Sequence, residues 1–169
     1  NLAQELITEP SLLFLDEPTS GLASQDTINV MRLLRRLANA GKTVLLTIHQ
    51  PSLEAYRQMD SVIYLFRGNL VYYGPAYPDS ILHFNEEVPE GPGRAALLAE
   101  PGNALRPLAD SQRNALVSQD PDSALGELVS EHCKKYAASA YAREYVTERA
   151  SDPGALVPNA GVKRAYRRG

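Results

Sequence analysis

Two adjacent carboxylates, Asp16 and Glu17, stand where the apolar run "SLLFLD" of residues 11–16 meets "EPTSGLAS". The run is too compact for a helix and reads as a strand buried on both faces, ending at Asp16. A strand in a parallel sheet delivers its last residues to the carboxyl edge, where such folds bind ligands. Neighbouring residues at a strand end point in different directions, so the two acids can do different work. Phosphoryl transfer to water uses such a pair, one acid near Mg²⁺ and the other to orient or deprotonate the attacking water. Asp16 suits the first role and Glu17 the second. The plain alternative is a pair of helix-entry residues interacting with the dipole of the helix that follows.

The elements needed to position the pair are those of an α/β fold. Residues 25–40 place Ile28, Met31, Leu34 and Ala38 at helical spacing, with Ser24 as N-cap and Gly41 as the stop. "KTVLLTIH" at 42–49 predicts a second buried strand, "PSLEAYRQM" at 51–59 a short helix starting at its proline, and "SVIYLF" at 61–66 a third strand. Alternation of strand and helix implies parallel pairing. "LFRGNLVYYG" then predicts a hairpin lying antiparallel at the sheet edge. Dense patterning ends near residue 75, which sets a core of 1–75. Residues 76–121 are rich in Pro and Gly and read as a linker of loop with at most short helical turns. Helices near 122–137 and 139–149 form a helical extension over 122–150, and 151–169 is a basic tail.

A chain of 169 residues with 44% hydrophobic content holds one core with an appendage. Seventeen basic against 20 acidic residues, a net charge of −3, point away from a nucleic-acid or polyanionic partner. The lone cysteine, Cys133, excludes an internal disulfide. No run of ~18 apolar residues is long enough to span a bilayer, and no basic-then-apolar leader opens the chain, so it reads as soluble with the cytosolic side as the default. His132 with Cys133 lacks the further ligands of a zinc site and reads as helix surface. Tyr72 and Tyr73, neighbours on a strand, read as sheet packing rather than base stacking.

"LLFLDEPTSGL" followed by "TVLLTIHQPS" resembles the Walker B motif, D-loop and H-loop of ATP-binding cassette (ABC) ATPases, and "TIHQPS" is most similar to their G subfamily. The resemblance covers residues 1 to about 75 strongly and the rest only in general shape. It implies the C-terminal part of a P-loop NTPase core, with ATP and Mg²⁺ as cofactors. It also implies that Asp16 holds Mg²⁺ through water, that Glu17 is the catalytic glutamate, and that His49 contacts the γ-phosphate, with Gln50 beside it. Ser20, Gly21, Leu22 and Ala23 correspond to the D-loop, which in the family crosses to a second nucleotide-binding domain. A transmembrane domain as partner and a place on the cytoplasmic face of a membrane follow from the same resemblance. On this view "VKRAYRRG" is either a solvated tail or the flank of a membrane helix.

Two departures qualify the resemblance. The family usually carries an aspartate where this chain has Ala23; an alanine can neither accept a hydrogen bond nor carry charge. Either signalling between paired sites is altered, or the backbone of the loop suffices. On the loop reading, Ala23→Asp is expected to change turnover rather than stability. The sequence also holds no G-x-x-x-x-G-K-[ST] phosphate loop, no Q-loop and no "LSGGQ"-like signature. With the family's signature lying just upstream of "NLAQEL", the expectation is a half-site, inactive alone. Two other readings stand beside transport: a DNA-repair or chromosome-maintenance ATPase with the same motif layout, and a non-catalytic interaction module.

Overall fold

The computed structural model describes residues 10–151, in a mixed arrangement of helices and two small sheets. Residues 1–9 and the basic tail after residue 151 lie outside the described residues. β1 (Leu12–Leu15) pairs in parallel with β2 (Thr43–Leu46), Leu12 opposite Thr43 and Leu15 opposite Leu46. The helix α1 (Ser24–Asn39) is the crossover between them. Its apolar stripe buries Met31 and Leu34 against Leu15, Val44, Leu46 and Ala55. Fully burying two such side chains contributes roughly 1.5–3 kcal/mol each.

That helix covers only one face of the strand pair. Leu12, Phe14 and Leu45 point to the other side and stay exposed, Phe14 at 68%. The expectation of strands buried on both faces is therefore corrected. An apolar run reports that both faces are apolar, and whether each is covered depends on a second layer. Among the described residues no such layer packs on this face.

The start of α1 also differs from expectation. Ser24 is its first helical residue, and the N-cap is Ala23, extended at φ −65° and ψ 156°, with no side-chain hydrogen bond. At the other end Gly41 takes φ +91°, the left-handed stop that glycine allows without cost. The short helix α2 (Leu53–Tyr56) begins after Ser52, whose Oγ accepts the Ala55 N–H at 3.3 Å. Arg35 ties α1 to the segment ahead of the next strand, donating from Nε to the Gln58 carbonyl at 2.7 Å and pairing with Asp60 at 2.9 Å.

β3 (Ser61–Phe66) and β4 (Asn69–Pro75) form the expected antiparallel hairpin. Arg67 and Gly68, at φ +48° and +79°, make a two-residue turn whose paired positive φ values match the twist of the strands. The hairpin is a sheet of its own rather than the edge of the β1–β2 sheet, and Ile63 and Leu65 on β3 remain exposed. Closing a two-residue loop costs far less chain entropy than a crossover pairing, so β3 satisfies its backbone locally with β4.

After a π-helical turn at Ala76–Ser80 come α3 (Ile81–Phe84), α4 (Pro92–Ala99), α5 (Arg106–Leu116) and α6 (Pro121–Ala138). A last helical stretch runs through Ala140–Ala142, Arg143–Glu148 and Arg149–Ser151. Of the helices within 76–121, α4 and α5 are longer than the turns expected there. Prolines near the start of each sit where their missing N–H would be unpaired anyway, so they begin helices instead of breaking them.

The hairpin packs on α6 through Tyr136, whose hydroxyl donates to the Tyr73 carbonyl at 3.0 Å. Tyr72, fully buried, is the hub of this core, with the rings of Tyr64, His83, Phe84, Tyr136 and Tyr141 around it at 5.0–6.2 Å. Both tyrosines of the strand thus serve packing, Tyr73 against Tyr145 on the opposite side. His132 and Cys133 are half-buried, not surface residues: the His132 ring lies 6.1 Å from that of Phe84, and the Cys133 thiol faces the Leu70 carbonyl at 3.6 Å. Burial pushes the His83 imidazole down to about 4, and its Nε2 has no hydrogen-bond partner, so it sits in the core as a neutral ring. Among the described residues no helix is long and apolar enough to cross a membrane.

Candidate functional site

The carboxyl ends of β1 and β2 open into one cleft. Past Leu15 the chain turns through Glu17, held at φ +43°, a left-handed conformation that few non-glycine residues adopt. The Ser20 N–H then donates to the Glu17 carbonyl at 3.0 Å and the Leu22 N–H to the Thr19 carbonyl at 3.3 Å. Gly21 at φ +74° lets the second turn close. Past Leu46 the other strand runs through Thr47, Ile48 and His49 to Gln50, again left-handed at φ +45°. Two strained residues of this kind on facing loops mark the rim as a place where the surrounding structure fixes the backbone.

The cavity between these loops has a volume of about 350 Å³. Glu17, Ser20, Gly21, Leu22, His49 and Gln50 all line it, so six of the eight residues singled out from the sequence come together. Asp16 and Ala23 are not in the lining. Asp16 stands behind Glu17, its Oδ1 accepting the Thr47 hydroxyl at 2.6 Å. Ala23 is the cap of α1.

Sequence reasoning missed the hydroxyls of the rim. Thr19, Ser24, Thr27 and Ser52 line the cavity, and Thr47 bridges the two strand ends. The missed signal was register. With Leu15 opposite Leu46, the next pair is Asp16 with Thr47, a hydroxyl beside a carboxylate.

The lining holds one carboxylate, one imidazole and one carboxamide, and no lysine or arginine. Its donor chemistry fits a magnesium ion, which takes hard oxygen ligands, commonly one or two carboxylates together with substrate phosphates. Asp16 lies outside this lining, its Oδ1 engaged by the Thr47 hydroxyl. A triphosphate would find no counter-charge among these residues.

No family model matches the chain. Curated relatives do. The chain is 40% identical over 117 residues to ABC transporter G family member 14 of Arabidopsis thaliana, a match covering 67% of this chain and 17% of that protein. It is 50% identical over 76 residues to G family member 13 of the same plant, 45% of this chain and 11% of the relative. The broad substrate specificity ATP-binding cassette transporter ABCG2 of Bos taurus is 46% identical over 76 residues, 45% of this chain and 12% of the relative. The chain is a homologue of the ABC transporter G family. It spans less than a fifth of the length of each of these relatives.

For an ABC G homologue the place of Ala23 changes what the substitution to aspartate tests. An N-cap aspartate can accept backbone N–H groups of the first turn of α1, which Ala23 leaves without a side-chain partner. Ala23→Asp is therefore expected to stabilise the chain by ~1 kcal/mol, the usual worth of an N-cap side chain. A rise in the thermal or urea midpoint checks this; an unchanged midpoint would show that the cap geometry is not used. The expectation of unchanged stability is thereby replaced by an expected gain, and any gain in turnover has to be read against it.

Proposed function

We propose that this chain is part of the ATP-binding and ATP-hydrolysing domain of a G-type ABC transporter, its strand ends supplying the hydrolytic half of a nucleotide site. The observation that carries the reading is the single cleft shared by Glu17, the Ser20–Leu22 turn, His49 and Gln50, with Asp16 tied to its edge. Glu17 is the group that orients and deprotonates the attacking water, and His49 helps position that water at the γ-phosphate. Asp16 would hold Mg²⁺ through water. A bound magnesium ion would supply charge neutralisation at the β- and γ-phosphates.

The absence of cationic side chains from the lining fits a half-site: the grip on the phosphates comes from residues outside this chain. The exposed apolar face of Leu12, Phe14 and Leu45 fits the same view, as the surface on which the remainder of the domain packs. The Ser20–Ala23 turn reaches a second nucleotide-binding domain, and a transmembrane domain completes the transporter at the cytoplasmic face of a membrane.

Calorimetry with Mg-ATP separates these statements. The full-length transporter should bind saturably in the micromolar range, and the isolated chain should give no saturable heat at the same concentrations. Micromolar binding by the isolated chain would overturn the half-site reading.

A further inference from the structure

We propose that Thr47 is a positioning residue for the carboxylate pair, one hydroxyl that fixes both acids at once. The inference rests on the functional reading given above, and it extends that reading to a residue of the "TIHQPS" stretch that has been given no role so far. Thr47 follows the last ladder pair of the parallel strands, its N–H still donating to the Leu15 carbonyl at 3.0 Å. From there its Oγ1 donates to Asp16 Oδ1 at 2.6 Å and accepts the backbone N–H of Glu17 at 2.9 Å.

The two bonds do different things. The first has the length of a charge-assisted bond from a hydroxyl to a carboxylate. A hydroxyl has a single proton to give, and with it committed to Asp16 the carboxylate is oriented with its other oxygen free. The second bond pins the amide of Glu17 in the left-handed turn at φ +43° that carries its side chain into the cleft. A β-branched residue suits the task because its χ1 is restricted on a strand, so the hydroxyl is held in place before either acid is engaged. His49, two residues further along the same strand end, lines the cleft on the other side. Thr47 thereby sets the placement of the metal-side acid against the water-side acid.

The test uses the full-length transporter and four variants. Thr47→Val keeps shape and strand preference and removes the hydroxyl; Thr47→Ser keeps the hydroxyl. Outer-shell partners of metal ligands typically matter by about 10–100-fold. Thr47→Val is accordingly expected to lower kcat by about tenfold or more and to raise the Mg²⁺ concentration for half-maximal turnover, with KM for ATP little changed. Thr47→Ser is expected to stay within about threefold of the parent on all three. A residue with a purely structural role would shift the melting temperature without a separate Mg²⁺ dependence and without rescue by serine. Should Thr47→Val misfold, Thr47→Ser against Thr47→Ala isolates the hydroxyl: serine above alanine supports the proposal, and equal rates overturn it. Glu17→Gln run alongside keeps two failures apart. If Glu17→Gln abolishes turnover while Thr47→Val matches the parent in kcat and Mg²⁺ dependence, the positioning role is wrong and the site stands. If Glu17→Gln itself turns over normally, the site reading falls and Thr47 with it.

Discussion

Replacing Glu17 by glutamine in the full-length transporter is expected to preserve nucleotide binding and to lower turnover by about 10²–10⁴-fold, the usual weight of a positioned general base. The two side chains have the same shape, and the amide nitrogen cannot take a proton from water. The backbone of residue 17 is unaffected, because the bond that holds its left-handed turn runs from the main-chain N–H to Thr47 Oγ1, not from the side chain. A loss of rate can then be assigned to the carboxylate rather than to a collapsed loop. Nucleotide-bound dimers should accumulate, since binding persists while the exit by hydrolysis is closed. Steady-state ATPase rates for Glu17→Gln and His49→Ala, measured side by side, decide the assignment. Parental turnover in the glutamine variant, with His49→Ala alone inactive, would move the base to the imidazole.

The second large effect concerns stability. Tyr72→Ala should cost about 3–5 kcal/mol, the range for removing a large aromatic from a core that cannot fully collapse. Tyr72 has no solvent exposure and five aromatic neighbours, the nearest being His83 at 5.0 Å. Space around it is already used: a Cβ built on Gly74 would lie 2.9 Å from the Tyr72 hydroxyl. Tyr72→Phe should cost only about 1 kcal/mol, the worth of the single bond its hydroxyl donates to the Pro75 carbonyl. Urea denaturation of the two variants gives both numbers. An alanine variant within 1 kcal/mol of the parent would mean that the hairpin and α6 do not share one cooperative core.

The residues that line the cleft were legible because they sit at strand ends. An apolar run stopped by two acids, and a second run ending at His49, announce where each strand delivers its polar residues. What the sequence did not announce was the shape of the backbone there. Nothing in Glu17 or Gln50 signals a left-handed conformation, since neither is the glycine or asparagine that usually adopts it. Thr47 was overlooked for a related reason. A threonine inside a β-rich run reads as strand former, and only the pairing register sets it beside Asp16. Serine is a favoured cap and points to Ser24, yet the boundary falls a residue earlier, on Ala23. In the second half, richness in Pro and Gly predicts loop although Pro92 and Pro107 stand at helix starts, because a local pattern does not say whether a proline precedes a helix or interrupts it.

The distribution of tyrosines makes this protein optically two-sided. There is no tryptophan, and every one of the nine tyrosines is Tyr56 or later in the chain. Among the described residues, none belongs to β1, α1 or β2, and none lines the cleft. Among the described tyrosines, intrinsic fluorescence and near-ultraviolet dichroism therefore watch mainly the hairpin and its helices rather than the β1–β2 unit. A melting curve followed by tyrosine emission would stay flat through an early loosening of the β1–β2 unit that amide dichroism records. Phe14→Trp, placed on the exposed face of β1, would light the silent half and let the two be followed separately in one sample.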